Sequence, residues 1–556
     1  MGQYVRWQAL IALIGVIFLA TYLNSIAIVQ QVEVVPANRG VFREGVVGKP
    51  QLLNPLLAFY NPVDQDVASL IFEGLTREDG RGNLIPVLAQ DWSVSRDGRI
   101  YVFSLRQDVL WADGEAFTAD DVLFTLNLIQ SEDFPGDPAL QRLWQSVEIE
   151  KIDEYTIRFV LSEPLPSFLY HTTVGILPRH SLGQIEAGDL LAHPFNLSPL
   201  GTGPFQIKEA TDRYILLETN PNYHARTGKI REVRLHFYSD SNAARHALER
   251  QEIDGMALTT FTTLQQLQPQ TGLKFFSTSL PRYNVAHFNL QAPEALPFFQ
   301  DRMVRQALWK LIDRQELIDT VLNGQAILAN GPILPWSWAY NPNQKYPDYA
   351  PEEAAALLAE AGWQDFDGDG IREKEGARFQ FLLLTNNDPV QHAVASYLAE
   401  QWVKAGIAVS LETVADDLFE RVSQRQFDMA LVDTQLSGDP DPYGLWHQSQ
   451  IEGGQNVSGW DSINASHMLE QGRLTVDRNE RIKFYYTFQQ IFADEMPALI
   501  LYHPTYSYVV RDNIKGVQLG AMVFPSGRFK TIADWYTLTE QVIETIADQR
   551  LDSLNE

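Results

Sequence analysis

Acidic, aromatic and turn-forming residues cluster in a few stretches whose chemistry can be read directly. In DTQLSGDPDPYGLW (433–446), Asp439 and Asp441 alternate with prolines. An ionised carboxylate in a desolvated cleft pairs strongly with an ammonium group, and the same Asp and Pro residues equally suit a plain loop. Trp336 and Trp338, in GPILPWSWAYNP, lie between two turn signals and on no obvious core face. Asp365, Asp367 and Asp369, with Glu373, space their oxygens at positions one, three, five and nine, like the start of a calcium loop. The twelfth position is Gly376 instead of Glu, and the flanks read as a strand hairpin, so a solvated hairpin tip is expected and no metal. Support for catalysis is absent: there is no Gly-x-Ser-x-Gly elbow, no His-Glu-x-x-His pair, and the 11 histidines are scattered. The loop GTGPF (201–205) lacks the Gly-Lys-Ser/Thr of a phosphate cradle, and Pro204 removes an amide, so it reads as a tight turn into a strand.

The elements that must carry these residues are clearest between 53 and 128. Asn54-Pro55 opens a turn. A helix is expected from Val63 to Leu75, with Val67, Leu70, Ile71 and Leu75 on one face and Gly74 as a left-handed stop. Trp92 and Val94, then Tyr101, Phe103 and Leu105, alternate about Arg96-Asp97-Gly98 as a hairpin. Thr118 begins a second helix, with Asp120 and Asp121 at its positive end. Further strands are expected at 155–161, 214–218, 283–290 and 498–510. A helix about 303–312 turns Met303, Ala307, Leu308, Leu311 and Ile312 to a core and leaves Arg302, Arg305 and Arg314 elsewhere.

At 556 residues, with 45% hydrophobic and 20% charged residues, the chain has the composition of two or three globular domains. Acidic residues exceed basic ones 70 to 43, a net charge of −27, which argues against nucleic acid as a partner and weakly favours cationic ligands. Cysteine is absent, so disulfides, thiol nucleophiles and thioether lipidation are excluded. The apolar run Ala9–Val29 is long enough to cross a bilayer; its small-residue cleavage signal is poor, and an uncleaved anchor is expected. A polar linker, about 30–40, separates it from the folded part.

Taken in order, LNPLL, IFEGL, PVLAQDW, DGRIYVFSLR and W-ADGE-FTADDV in the first part of the chain, then GTGPF, NPNY, VRQALWKLIDRQELIDTVLNGQA, DGDGIREKEG, FDMALVDTQLSGDPDPYGLW and FQQIFADEMPALILYH, resemble the family 5 extracellular solute-binding proteins, the peptide-binding components of ABC importers. The resemblance covers roughly residues 40–535. It implies an α/β, two-lobed periplasmic-binding-protein-like fold of the large three-subdomain kind, hinged on two crossing segments, with the N-terminal membrane helix in addition. The expected layout is an anchor (1–30), a linker (31–40), a first lobe (41–280) with an inserted subdomain about 80–195, a second lobe (281–505), a return to the first lobe (506–540) and a C-terminal helix (541–556).

The function it implies is capture of short peptides outside the cytoplasmic membrane for ABC transporter permease subunits, by a monomer, without cofactor. Open alternatives are another solute in the same cleft (an oligosaccharide, opine or metal chelate), a cleft hydrolase, or a chaperone-like holder of unfolded segments. By the same resemblance Asp439 would meet a ligand's α-amino group, although its spacing from Asp441-Pro442 is one residue short and Leu436 stands where a Trp is expected. Asn54 and Glu73 would lie on the first lobe's cleft side. Asn456 and the aromatics Tyr60, Tyr283, Trp446 and Trp460 would lie near the cleft.

Overall fold

A computed structural model describes residue 7 and residues 12–19, 31–36, 40–79, 83–258, 261–292, 294, 296–415, 417–436 and 438–543. A 12-stranded sheet runs through the protein in the order Ala408–Val414, Gln380–Asn386, Met429–Gln435, Arg282–Phe288, Ala498–Arg511, Gly255–Leu258, Gly40–Val47, Ile230–Tyr238, Tyr214–Thr219, Phe205–Ala210. Leu273–Ser279 and Ala326–Leu328 also pair with Ala498–Arg511.

That 14-residue strand explains why there are two lobes. Its first part pairs with Asn284–His287, and Leu499 to Tyr502 are buried in one core; from Thr505 onward it pairs with Leu273–Ser279, and Tyr506, Tyr508 and Val510 belong to another. The neighbouring chain makes the same passage at Leu280-Pro281, where Leu280 N donates to Pro504 O at 2.8 Å. Two adjacent strands thus join two separately packed cores. Branched and aromatic residues dominate ALILYHPTYSYVVR, which suits a strand buried along most of its length.

The inserted hairpin forms as expected. Ala89–Val94 pairs with Ile100–Leu105, and these join Thr156–Leu161 and Val147–Asp153 in a four-stranded antiparallel sheet. The helix Ala119–Gln130 lies beside it, with Thr118 as N-cap and Asp121 returning the bond to the Thr118 amide, a complete capping box. The preceding helix is shorter than its periodicity implies. It spans Pro62–Ile71, capped by the Asn61 side chain, and leaves the helical path at Phe72 in extended conformation, so Gly74 supplies no left-handed stop. The end is set instead by GTGPF: Gly203 N donates to Ile71 O at 2.8 Å, and a Cβ on Gly201 would lie 2.0 Å from that oxygen. The loop's glycines therefore serve close packing on a helix end.

Two further expectations need correction. Residues 31–36, read as linker, form a strand, Gln31–Pro36, antiparallel to Tyr536–Ile543, which also takes the place of the start of the C-terminal helix expected at 541–556. The remainder of that expected helix lies outside the described residues. Arg305, off the apolar face of its helix, is buried, and it donates to the carbonyls of Phe299, Gln300, Glu495 and Met496. It thereby satisfies the end of the helix Arg478–Glu495. Most of the apolar run 9–29 also lies outside the described residues. Residues 12–19 are helical and expose Leu13, Ile14 and Phe18, and among the described residues no helix is long and apolar enough to cross a membrane.

Candidate functional site

The lobes meet where the loop after strand Met429–Gln435 faces the inserted part of the first lobe. A Cβ on Gly438 would stand 2.4 Å from Glu78 Oε1 and 2.6 Å from the Tyr170 ring, both in the first lobe. Arg478 Nη1 donates to Asn83 Oδ1 across the same boundary at 3.3 Å. Gly98, in the turn of the inserted hairpin, backs onto Val476.

Local sequence builds the second-lobe side. Asp477 caps the helix Arg478–Glu495 by accepting from the amides of Asn479 and Glu480. Arg478, Arg481 and Tyr485 then fall on one face at helical spacing. Arg481 reaches Asp439 with both terminal nitrogens, Nη2–Oδ1 at 3.0 Å and Nη1–Oδ2 at 3.3 Å, and both side chains are about 5% exposed or less. Trp338 lies against the pair, its ring 5.1 Å from the Arg481 guanidinium and 5.0 Å from that of Arg478. Asp441 Oδ2 holds Arg473 Nε at 2.8 Å, while its Oδ1 accepts from Tyr443 N at 3.0 Å. On the first-lobe side, Glu78 Oε2 holds Lys530 Nζ at 2.9 Å.

Burial sets the protonation of this group. It lifts the Asp439 carboxyl above the ordinary carboxylate range, against the pull of Arg481. Burial works to lower Arg481, but Asp439 and Tyr485 together outweigh it, and the guanidinium stays charged. Burial, and next the charge of Asp439, raise the Tyr170 phenol, which remains protonated and able to donate. Burial takes Tyr101 up to about 12.

Among the residues singled out from sequence, Trp338, Asp439 and Asp441 come together here. The rest do not join them. Asn54 is fully enclosed, its Oδ1 accepting from Leu56 N and its Nδ2 donating to Asn196 Oδ1, which holds the turn it opens. Glu73 is held inside the first lobe by His224 Nε2 at 2.8 Å and Tyr223 OH at 3.2 Å. Tyr283 and Trp446 pack within the second core, the Trp446 indole donating to Tyr283 OH at 3.2 Å. Trp460 packs with them. Asn456 is also fully enclosed: it donates to the carbonyls of Trp446, His447 and Trp460 and accepts from Trp460 N, closing the loop GGQNVSGW on itself. Trp336 is half-buried, and its indole N–H finds no acceptor among the described residues. Tyr60 is exposed and donates to Gly136 O.

Asp365, Asp367, Asp369 and Glu373 do gather, with carboxylate oxygens within 4.8 Å of one another. Several already build the turn: Asp365 accepts from the amides of Gly368 and Gly370, Glu373 from those of Phe366 and Asp367, and Asp369 holds Arg378. Sequence reasoning missed Arg481, Arg473, Arg478, Tyr170 and Glu78. The visible signal was the spacing of Arg478, Arg481 and Tyr485 on one helix face of an otherwise acidic chain.

Comparison with known proteins agrees with this architecture. Residues 83–456 match the family described as bacterial extracellular solute-binding proteins, family 5 middle. The oligopeptide-binding protein AppA of Bacillus subtilis is 31% identical over 494 residues, covering 86% of this chain and 89% of AppA. Its structure in complex with a nonapeptide superposes with a TM-score of 0.67 over 90% of this chain and all of that one, at 30% identity. NikZ of Campylobacter jejuni, solved with Ni(L-His), superposes with a TM-score of 0.70 at 26% identity, covering 90% of this chain and all of NikZ.

Proposed function

We propose, from the premise that this chain belongs to the family 5 bacterial extracellular solute-binding proteins, that it is the receptor of a peptide importer. It captures short peptides between its lobes, outside the cytoplasmic membrane, and delivers them as a monomer to the permease of an ABC transporter. The observation that carries this reading is the construction of the interlobe boundary: two separate cores, two adjacent connecting strands, and a face where Gly438 and Arg478 of one lobe meet Glu78, Tyr170 and Asn83 of the other. A ligand that touches both faces only when they are shut stabilises the shut form, which is the form a permease can distinguish.

An extended peptide gains sequence-independent hydrogen bonds from its backbone, so one cleft can take many sequences. The full chain, purified from a peptide-rich host and denatured, is expected to release a mixture of short peptides detectable by mass spectrometry. Release of none, together with a thermal shift on adding a sugar or a metal chelate such as nickel–histidine, would retain the fold and replace the solute.

The apolar run 9–29 supports a retained tether. The full chain is accordingly expected to stay with the membrane pellet through carbonate extraction. Quantitative recovery in the supernatant would mean that this segment is no anchor.

A further inference from the structure

Alternation along the short strand Thr76–Glu78 turns Thr76 and Glu78 inward and Arg77 outward, and pairing with Leu84–Pro86 fixes that register. Glu78 is thereby carried to the interlobe boundary with its side chain only 8% exposed. Its two oxygens differ. Oε2 holds Lys530 Nζ at 2.9 Å, from the helical turns Pro525–Asp534 packed on the same core. Oε1 is buried and meets no donor among the described residues. It points at Gly438 of the second lobe, where a Cβ would stand 2.4 Å away.

A carboxylate oxygen taken from water without a donor is costly, so this one is poised to accept a bond that the chain itself does not supply. Because Gly438 belongs to the other lobe, parting of the lobes bares Oε1 to the cleft. Gly438 presents no side chain to it, which leaves the approach to a ligand. Lys530 holds the carboxylate from behind, through the other oxygen, and so fixes the direction in which Oε1 faces. A cationic nitrogen bonds to such an oxygen roughly twice as strongly as a neutral one. The Tyr170 ring, 2.6 Å from the same Cβ position, adds an aromatic neighbour of the kind that attracts cations. Arg478 lies close by but is exposed, where solvent and salt screen its charge.

We propose that Glu78 Oε1 is the first-lobe acceptor for a cationic nitrogen of the bound peptide, either its α-ammonium or the ammonium or guanidinium of a side chain. Glu78 thereby sets a preference for peptides charged at that point. This rests on the peptide-receptor reading above. Lys530 is a positioning residue in it, acting through Glu78.

The test takes a peptide recovered from the purified chain and synthesises it as found, N-acetylated, with its lysine or arginine replaced by norleucine or citrulline, and with both changes. Isothermal titration compares these forms on the full chain and on Glu78→Gln, which keeps the size of the side chain and removes its charge. Glu78→Gln is expected to weaken the peptide as found by about tenfold or more, and to leave unchanged the form that lacks the contacted cation. If acetylation abolishes the loss, the nitrogen is the peptide's amino terminus. If side-chain replacement abolishes it, the nitrogen belongs to lysine or arginine. An equal loss in every form, as a purely structural role would give, or a loss in none, overturns the inference and leaves peptide capture standing. Should Glu78→Gln fail to fold, the unmodified chain decides: weakening of the doubly neutral form by about tenfold or more upholds the inference, and equal affinity overturns it. A chain that yields no peptide overturns peptide capture itself, and the inference with it.

Discussion

Replacing Arg528 with Met is expected to destabilise the first lobe by about 3–5 kcal/mol, because it leaves two carboxylates buried without a counter-charge. Arg528 donates through Nε to Glu44 at 3.0 Å and through Nη1 and Nη2 to the two oxygens of Asp66 at 2.6 Å each. Tyr508 OH adds a bond to Glu44 at 2.6 Å. Glu44 lies on a central strand, Asp66 on the helix Pro62–Ile71, Tyr508 on the return strand, and Arg528 in the C-terminal helical turns Pro525–Asp534. One guanidinium therefore ties the end of the chain to elements laid down at its beginning. With a whole domain worth about 5–15 kcal/mol, such a loss is a large fraction of the total.

The pH dependence gives the result a second, independent reading. Burial raises the Glu44 carboxyl from 4.5 to about 7, against the pull of Arg528. The folded chain thus binds this proton more tightly than the unfolded one, and the Glu44 contribution, full below about pH 4.5, fades as pH rises to about 7. Without Arg528 the carboxyl rises further, so the deficit of Arg528→Met is expected to be greater at pH 8 than at pH 5, by about 1 kcal/mol or more. Urea unfolding followed by tryptophan fluorescence measures both quantities. Arg528→Lys, which keeps the charge and loses the two-pronged bond, is expected to fall between. A midpoint for the Met variant equal to that of the unmodified chain at pH 8 would show that the buried acids find compensation elsewhere.

Gly438→Val is expected to weaken peptide binding by roughly 5- to 150-fold while leaving the unliganded melting temperature nearly unchanged. The backbone of Gly438 is not in the left-handed region, so a side chain is not refused on local grounds. The obstruction lies across the boundary, in Glu78 Oε1 and the Tyr170 ring. Glu78 is held by Lys530, so it cannot simply swing aside. Overpacking of this kind costs about 1–3 kcal/mol. Here it falls on the shut form alone, because the contact exists only between lobes, and apparent affinity drops with the population of the competent state. Gly444→Ala, in the same lobe with open space around the added Cβ, provides the matched control and should bind like the unmodified chain. Isothermal titration with the peptides recovered from the purified protein decides the matter. Full affinity in Gly438→Val would mean that the two faces need not approach this closely for capture.

The parts of the fold readable in advance are those governed by neighbours in sequence. Alternation placed the hairpin Ala89–Leu105, a capping box placed the start of the helix Ala119–Gln130, and runs of branched and aromatic residues marked the strands Arg282–Phe288 and Ala498–Arg511, the second of which runs through both cores. Several motifs in the right order also identified the family, as the match over residues 83–456 shows. Local rules misjudged positions whose partner is distant. Residues 31–36 looked like a linker and became a strand because Tyr536–Ile543 lies alongside. The helix expected to run to Leu75 stops at Ile71, where Gly201 and Gly203 press on its last carbonyl.

The candidate site divides in the same way. Residue types and spacing determined that Asp439 and Asp441 sit in a proline-shaped loop rich in ligand-like chemistry. Only the tertiary structure decided what those carboxylates do, since Arg481 stands 42 residues from Asp439 and Arg473 stands 32 from Asp441. The charge available to a ligand is whatever remains after such pairs have formed. That remainder depends on distances through space, because Coulomb attraction and desolvation act on separation and burial, and neither is written in the order of residues along the chain.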